Sequence, residues 1–245
     1  MLLQLDRVSK SFYGLTAVNA VSMEIPEGQI LGLIGPNGAG KTTLFHCITG
    51  VLWPSAGEIA LFGRGITRLP EPARTALGMS RTFQISNVLA DLAVIENMIL
   101  ALLGTDRRKW VLHRAVDTFG AVRARAMEGL ARVGLECRAE SPARLLSYGE
   151  RRQLELALAL NSNPRVLLLD EPCAGLSPSE RQRISQTIAA LPREITLLMI
   201  EHDMDVALGL ADRVTVLHRG RVILEGTPDE VQANPEVREV YFGHV

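Results

Sequence analysis

The chain has 245 residues, enough for one large domain or for a core carrying a subdomain. Its 26 basic and 27 acidic residues leave a formal net charge of -1, which excludes a global field that would recruit nucleic acid or an anionic membrane. Three cysteines, Cys47, Cys137 and Cys173, show no CxxC spacing, so neither a disulfide framework nor a thiolate metal site is expected. The longest run of hydrophobic residues, Met98–Leu103, is six residues long, where a membrane-spanning helix needs about 20. The start, MLLQLDR, has no basic n-region and no small-residue cleavage site, and so predicts no secretory signal. With 47% hydrophobic and 4% aromatic residues, the composition favours helices packed on a buried sheet.

In chain order, Leu2–Val8, Val21–Ile25 and Glu58–Phe62 alternate apolar and polar residues. They are predicted to form an antiparallel layer with one wet face. Ile30–Ile34 is a short apolar run ending at Gly35, the pattern of a strand buried on both faces. From Ala93 to Leu135 the period becomes helical, with Ile95, Met98, Ile99, Leu102 and Leu103 on one face, and this stretch is the candidate helical subdomain. After Gly149, helical segments (Glu150–Leu160, Ser179–Leu191, Met204–Leu210) alternate with strand runs (Val166–Leu169, Ile195–Ile200, Val214–Leu217), the rhythm of a covered parallel sheet. Pro228 and Pro235 each mark the start of a short C-terminal helix.

Gly35-Pro36-Asn37-Gly38-Ala39-Gly40-Lys41-Thr42-Thr43 fits GxxxxGK[ST] and lies between a buried strand and a helical run. Glycines let successive N–H groups aim at phosphate oxygens, and the helix N-terminus adds its positive end. Asn37, Gly38, Ala39, Gly40, Lys41, Thr42 and Thr43 are therefore the candidate nucleotide cradle, with Lys41 on the β- and γ-phosphates and Thr42 on Mg²⁺. A second run, Val166–Leu169, ends in Asp170-Glu171-Pro172. A carboxylate at that end of a parallel strand faces the ligand crevice, so Asp170 could hold Mg²⁺ through water while Glu171 orients the attacking water. Taken alone, two such acids could equally be a solvated strand end.

Leu146-Ser147-Tyr148-Gly149-Glu150 resembles the LSGGQ signature of ABC transporter ATPases, and five of that family's motifs occur in family order. They are the P-loop, Gln84 within Arg81-Thr82-Phe83-Gln84, the signature, the Asp170-Glu171-Pro172 run, and His202 after Ile200-Glu201. The resemblance implies an α/β, RecA-like P-loop NTPase core (1–84 and 162–245) with an antiparallel β layer and a helical signature subdomain (85–161). It implies ATP and Mg²⁺, with Gln84 in the Mg²⁺ and water shell, His202 on the γ-phosphate, and Phe12 stacked on adenine, although Tyr13 competes for that role. Phe12 and Tyr13 could also be core aromatics. Ser147 and Gly149 would close the ATP held by the P-loop of a second ATPase subunit, either another copy or a similar chain. Three departures from the family pattern stand out: Tyr148, Glu150, and Ser177 in place of an acidic residue.

Finer phrases, including Arg81–Gln84, Leu146–Leu160 and Glu225–Gly243, resemble importers of branched-chain and related amino acids. That resemblance implies transmembrane permease subunits, a substrate-binding protein met only indirectly, no nucleic acid, and a peripheral place on the cytoplasmic face of the inner membrane. The segment Ile85–Leu103, through Ser86-Asn87-Val88-Leu89, is the expected permease contact, unless Val88 and Leu89 simply fill the subdomain core. Arg107, Arg108, Lys109, Trp110, His113 and Arg114 form a basic cluster that reads as a solvated helical face, with lipid head groups or an acidic partner as its functional rival. The competing functions are a soluble ABC ATPase in nucleic-acid or ribosome-linked work, and a P-loop kinase. A kinase has no need of the signature or of His202 in this order.

Overall fold

The computed structural model describes residues 1–82, 88–105 and 115–242. The N-terminal alternation extends beyond the predicted runs: β1 (Leu3–Phe12) pairs antiparallel with β2 (Leu15–Ile25), placing Leu3 opposite Ile25 and Phe12 opposite Leu15. Leu3 and Leu5 point inward on odd positions and Val8 on an even one, because an irregularity between Leu5 and Val8, where Arg7 has φ 46°, inserts a residue and resets the pleat. Next come β3 (Ile30–Ile34), α1 (Lys41–Thr49), β4 (Ala56–Leu61), β5 (Arg64–Gly65), α2 (Glu71–Ala76) and β6 (Met79–Arg81). One sheet is antiparallel, in the order β2-β1-β4-β5.

The chain continues through α3 (Val94–Thr105), α4 (Ala115–Arg132), α5 (Tyr148–Leu160), β7 (Val166–Asp170), α6 (Pro178–Ala189) and β8 (Thr196–Ile200). It ends in α7 (Met204–Leu210), β9 (Arg213–His218), β10 (Arg221–Gly226), α8 (Pro228–Ala233) and α9 (Pro235–Phe242). The second sheet runs β10-β9-β3-β8-β7-β6, with parallel pairing from β9 through β6 and antiparallel β10 at one edge. Every residue of β3, β7 and β8 is buried, as expected for strands covered on both faces. Leu31, Leu33, Leu168 and Leu198 share one core with Leu3, Leu5, Ile59 and Leu61 of the antiparallel sheet and Leu44, Phe45 and Ile48 of α1. Each such side chain contributes about 2 kcal/mol by leaving water.

Inside this core lies a charged residue that no periodicity announces. Arg74 of α2 is fully buried, and its guanidinium donates to Cys47 O (2.7 Å), Ile48 O (2.6 Å), Leu69 O (2.8 Å) and Thr67 O (3.0 Å). Two of these carbonyls belong to the last turn of α1, which otherwise leaves its final C=O groups without partners. A cation at that end also suits the helix dipole.

Contacts divide the chain into two units: Met1–Arg81, Arg165–Ala174 and Leu191–Val245 form one, Thr82–Pro164 and Gly175–Ala190 the other. This division differs from the expected boundaries (85–161) chiefly in assigning α6 to the helical unit. The reason is local, since Glu180 of α6 bonds the first turn of α5. Within the helical unit, Ile95, Met98 and Leu102 of α3 are buried. Gln153 Nε2 of α5 reaches Val133 O (2.6 Å) and Asn161 Nδ2 reaches Met98 O (3.1 Å). Among the described residues no helix is long and apolar enough to cross a membrane.

Candidate functional site

In the first unit, β3 delivers the chain into a tight loop that opens α1. Gly40, at φ 102°, is the N-cap of α1, and a Cβ there would lie 2.3 Å from Ala17 O. Only glycine fits that close approach. Ala39 N donates to Pro36 O (3.1 Å), closing the loop, while Asn37 and Gly38 are exposed and Thr42 and Thr43 half-buried. α1 has no side-chain cap and no acidic residue in its first turn, so its N-terminal amides and dipole end face the loop's concavity. Lys41 is 5% exposed, and its Nζ donates to Gly35 O (2.6 Å) and Pro36 O (3.0 Å). Burial lowers the pKa of this ammonium, while the charges of Glu171 and Asp170 oppose that shift. The three groups thus sit within electrostatic reach of one another.

Asp170 ends β7 and is 4% exposed. Glu171 follows at φ 51°, a left-handed conformation that costs about 1 kcal/mol or more for a side chain of this kind. Its amide donates to Ile200 O (2.9 Å), and its Oε1 lies 2.5 Å from His202 Nε2. His202 stands two residues past the end of β8, so neighbouring parallel strands present the acid and the imidazole side by side.

No cluster of His, Cys, Asp or Glu among the described residues could hold a metal by itself. The donors present are the Thr42 hydroxyl and the Asp170 carboxylate, a sparse oxygen set that suits Mg²⁺, which keeps its waters and takes its remaining ligands from phosphate. The residues fit that ion when a nucleotide supplies the other oxygens.

Phe12 and Tyr13 close the β1–β2 hairpin and are 37% and 110% exposed, so neither is a core aromatic. Lys10 Nζ lies 5.1 Å from the centre of the Phe12 ring. Sequence reading did not reach Tyr241 of α9. Burial pushes its phenol up to about 12, and the Gly35 amide beside it pulls the other way.

In the second unit, Ser147 caps α5: its Oγ accepts from Glu150 N (3.1 Å), and Glu150 Oε2 accepts from Ser147 N (2.8 Å). This reciprocal box explains why an acid can stand where the family pattern has Gln. Glu150 also pairs with Arg138 at 2.9 Å. Burial raises the Glu150 pKa, but the Ser147 amide and Arg138 outweigh it and hold the carboxyl below its ordinary value. Gly149 N donates to Glu180 Oε1 (3.2 Å), whose other oxygen accepts from Ser177 N (3.0 Å). Ser177 caps α6 in the same reciprocal way, so the departure there keeps a capping oxygen. Tyr148 is half-exposed, with its hydroxyl 3.1 Å from Arg152 Nη2.

Gln84, with Phe83 and the expected contact residues Ile85, Ser86 and Asn87, lies outside the described residues, as do Arg107, Arg108, Lys109, Trp110, His113 and Arg114. Val88 is half-buried and Leu89 is 51% exposed, so Leu89 does not fill the core. Buried Asn97 holds the Leu89 backbone from both sides, accepting from its N–H (2.8 Å) and donating to its C=O (3.1 Å).

Comparison with known proteins gives this geometry its relatives. The family described as "ABC transporter" matches residues 18–174, and "Branched-chain amino acid ATP-binding cassette transporter" matches residues 221–245. The chain is 39% identical to the high-affinity branched-chain amino acid transport ATP-binding protein LivG of Salmonella typhimurium, over 99% of this chain and 98% of that one. Among solved structures it resembles the ADP conformation of MJ1267, an ATP-binding cassette of an ABC transporter, with a TM-score of 0.87 and 29% identity over 99% of each chain. It also resembles a dimeric post-hydrolysis state of the cassette MJ0796 bound to ADP and Pi, with a TM-score of 0.79 and 26% identity over 93% of this chain and 99% of that one.

Proposed function

The chain belongs to the ABC transporter family of ATP-binding cassettes, which bind ATP, and from that premise we propose that it is the ATP-hydrolysing subunit of an importer of branched-chain amino acids. The observation that carries the hydrolytic part is the pairing of Glu171 with His202 at 2.5 Å, on adjacent strand ends. The cargo assignment is supported by the match of residues 221–245 and by the name of the relative LivG.

The residues divide the work as follows. The amides of Gly38, Gly40 and Thr43 and the uncapped start of α1 cradle the phosphates, with Asn37 at the rim and Ala39 closing the loop through its bond to Pro36 O. Lys41, now bonded to two loop carbonyls, transfers its donors to phosphate oxygens, a charge-assisted exchange. Phe12 offers a face to adenine. Thr42 and Asp170, with Gln84, would hold Mg²⁺, which would neutralise the charge developing on the phosphate oxygens. Glu171 accepts a hydrogen bond from the attacking water and orients it, while His202 fixes that carboxylate and reaches the γ-phosphate. Ser147 and Gly149 of a second ATPase subunit complete the site.

Transport places this subunit beneath transmembrane permease subunits at the cytoplasmic face of the inner membrane, with a substrate-binding protein delivering the amino acid. Leu89, exposed and held by Asn97, is the proposed permease contact. The test is Glu171→Gln in the complex reconstituted with its permease subunits and assayed against a panel of amino acids. The variant is expected to bind ATP normally while turnover falls about a thousandfold, and wild-type uptake is expected to favour leucine, isoleucine and valine. Wild-type turnover by Glu171→Gln would overturn the chemistry, and uptake of an unrelated solute alone would overturn the cargo.

A further inference from the structure

Buried charge is costly, and in the first unit one carboxylate that the proposed chemistry does not use is almost wholly removed from solvent. Glu201 is 2% exposed, although its neighbours Ile200 and His202 already account for the end of β8 and for the imidazole. Its Oε1 accepts from Cys173 N at 2.9 Å. Burial pushes its carboxyl up, the neighbouring Cys173 and His202 amides and the Cys173 thiol pull it down, and the nearby charge of Glu171 pushes it up further.

The topology gives these contacts their meaning. Asp170 and Ile200 are register partners on parallel strands, so Glu171 and Glu201 are the next residues on each. Glu171 has φ 51° with its amide on Ile200 O, and two residues later Cys173 N donates to Glu201. Glu201 binds the backbone just past Glu171 and directly precedes His202 in the chain. One buried carboxylate thus ties together the two strand ends that present the acid and the imidazole.

We propose that Glu201 is a positioning residue for hydrolysis, acting through Glu171 and His202 by tying the end of β8 to the Cys173 backbone amide, and without touching nucleotide. The inference rests on the hydrolytic reading above. It predicts that removing the carboxylate changes turnover and leaves nucleotide binding, made by the P-loop, intact. A residue that only supported the fold would lower the fraction of chains that bind nucleotide, and would do so whatever side chain stood at position 202.

The test uses Glu201→Gln in the full chain with ATP, following kcat, KM, nucleotide bound per chain and the melting temperature, in the wild-type and His202→Ala backgrounds. In the wild-type background kcat is expected to fall about tenfold or more, the scale of a misplaced reacting group. KM should stay within about twofold and stoichiometry at one nucleotide per chain. In the His202→Ala background the same substitution should add less than about a twofold loss, because groups acting as a unit are not additive. Glu201→Asp keeps the charge but is one methylene too short to reach the Cys173 amide from the same backbone position. It should show the same split to a lesser degree, and it serves if the Gln variant does not fold. An unchanged kcat overturns the proposal, as does a loss that multiplies fully with that of His202→Ala or one that merely tracks lost nucleotide stoichiometry. If Glu171→Gln and His202→Ala themselves keep the wild-type rate, the hydrolytic reading falls and this inference falls with it. If they lose it while Glu201→Gln does not, the inference alone falls.

Discussion

Two helix N-termini in this molecule are finished in opposite ways. α1, after the P-loop, has glycine at its N-cap, no capping side chain and no acid in its first turn. α5, after the signature, has a complete Ser147–Glu150 capping box, and its Gly149 amide is engaged by Glu180. The first end keeps its donors for an outside anion. The second satisfies them with its own carboxylates, so a phosphate arriving there must exchange with groups already in place. On the proposed function the contrast implies an order, with nucleotide going first to α1 and α5 closing on a phosphate already held.

Glycine substitutions at the two ends should separate them most widely. In Gly40→Ala the new Cβ meets a backbone carbonyl at 2.3 Å with φ at 102°, and nothing there can yield without moving the loop. ATP affinity, measured by titration calorimetry, should drop about a hundredfold or more. In Gly149→Ala the obstacle at 2.4 Å is the Glu180 side chain, which can rotate away. Intrinsic nucleotide affinity should stay unchanged while turnover falls about tenfold, the effect of weakening, without removing, that amide's hydrogen bond to a charged group. Equal effects of the two substitutions on affinity would erase the distinction.

The other end of α1 offers the next largest effect. Arg74→Met keeps bulk but leaves the Cys47 and Ile48 carbonyls without their donor, and should cost about 3 kcal/mol of unfolding free energy by urea denaturation. The corresponding surface pair at the start of α5 should matter little. Glu150→Gln retains an acceptor for Ser147 N and loses the attraction to half-exposed Arg138, a change of about 0.5 kcal/mol in a screened pair. The Glu150 carboxyl is held below its ordinary value, so its contribution is present above the unfolded pKa and is lost as pH falls through the folded one. The gap in melting temperature between wild type and variant should therefore close on acidification.

The residues proposed to bind phosphate were legible because that chemistry demands a local pattern. Gly35–Thr43 and Asp170-Glu171 are contiguous, each at the end of an apolar run that reads as a buried strand, and the structure places both on the same parallel sheet. The residues that hold them in place were not legible, because their partners are distant in sequence or are backbone groups. Arg74 looks like a solvent-facing residue of a short polar helix until α1 is packed against it. Glu201 has its partner 28 residues away, and Glu180 its own 31 residues away. β6 was missed because three residues cannot show alternation, and its place at the sheet edge comes from pairing with β7. The expected division at 85–161 likewise could not foresee that α6 joins the helical unit.

The central claim is that P-loop and signature act on one ATP from two different chains. The most direct measurement is the ATPase rate per chain across a range of protein concentrations, with sedimentation recording the fraction of dimer in the presence of ATP. The account predicts that the rate per chain rises with concentration in proportion to the dimer fraction and levels off when dimer is complete. A constant rate per chain, maintained where the protein sediments only as monomer, would contradict it.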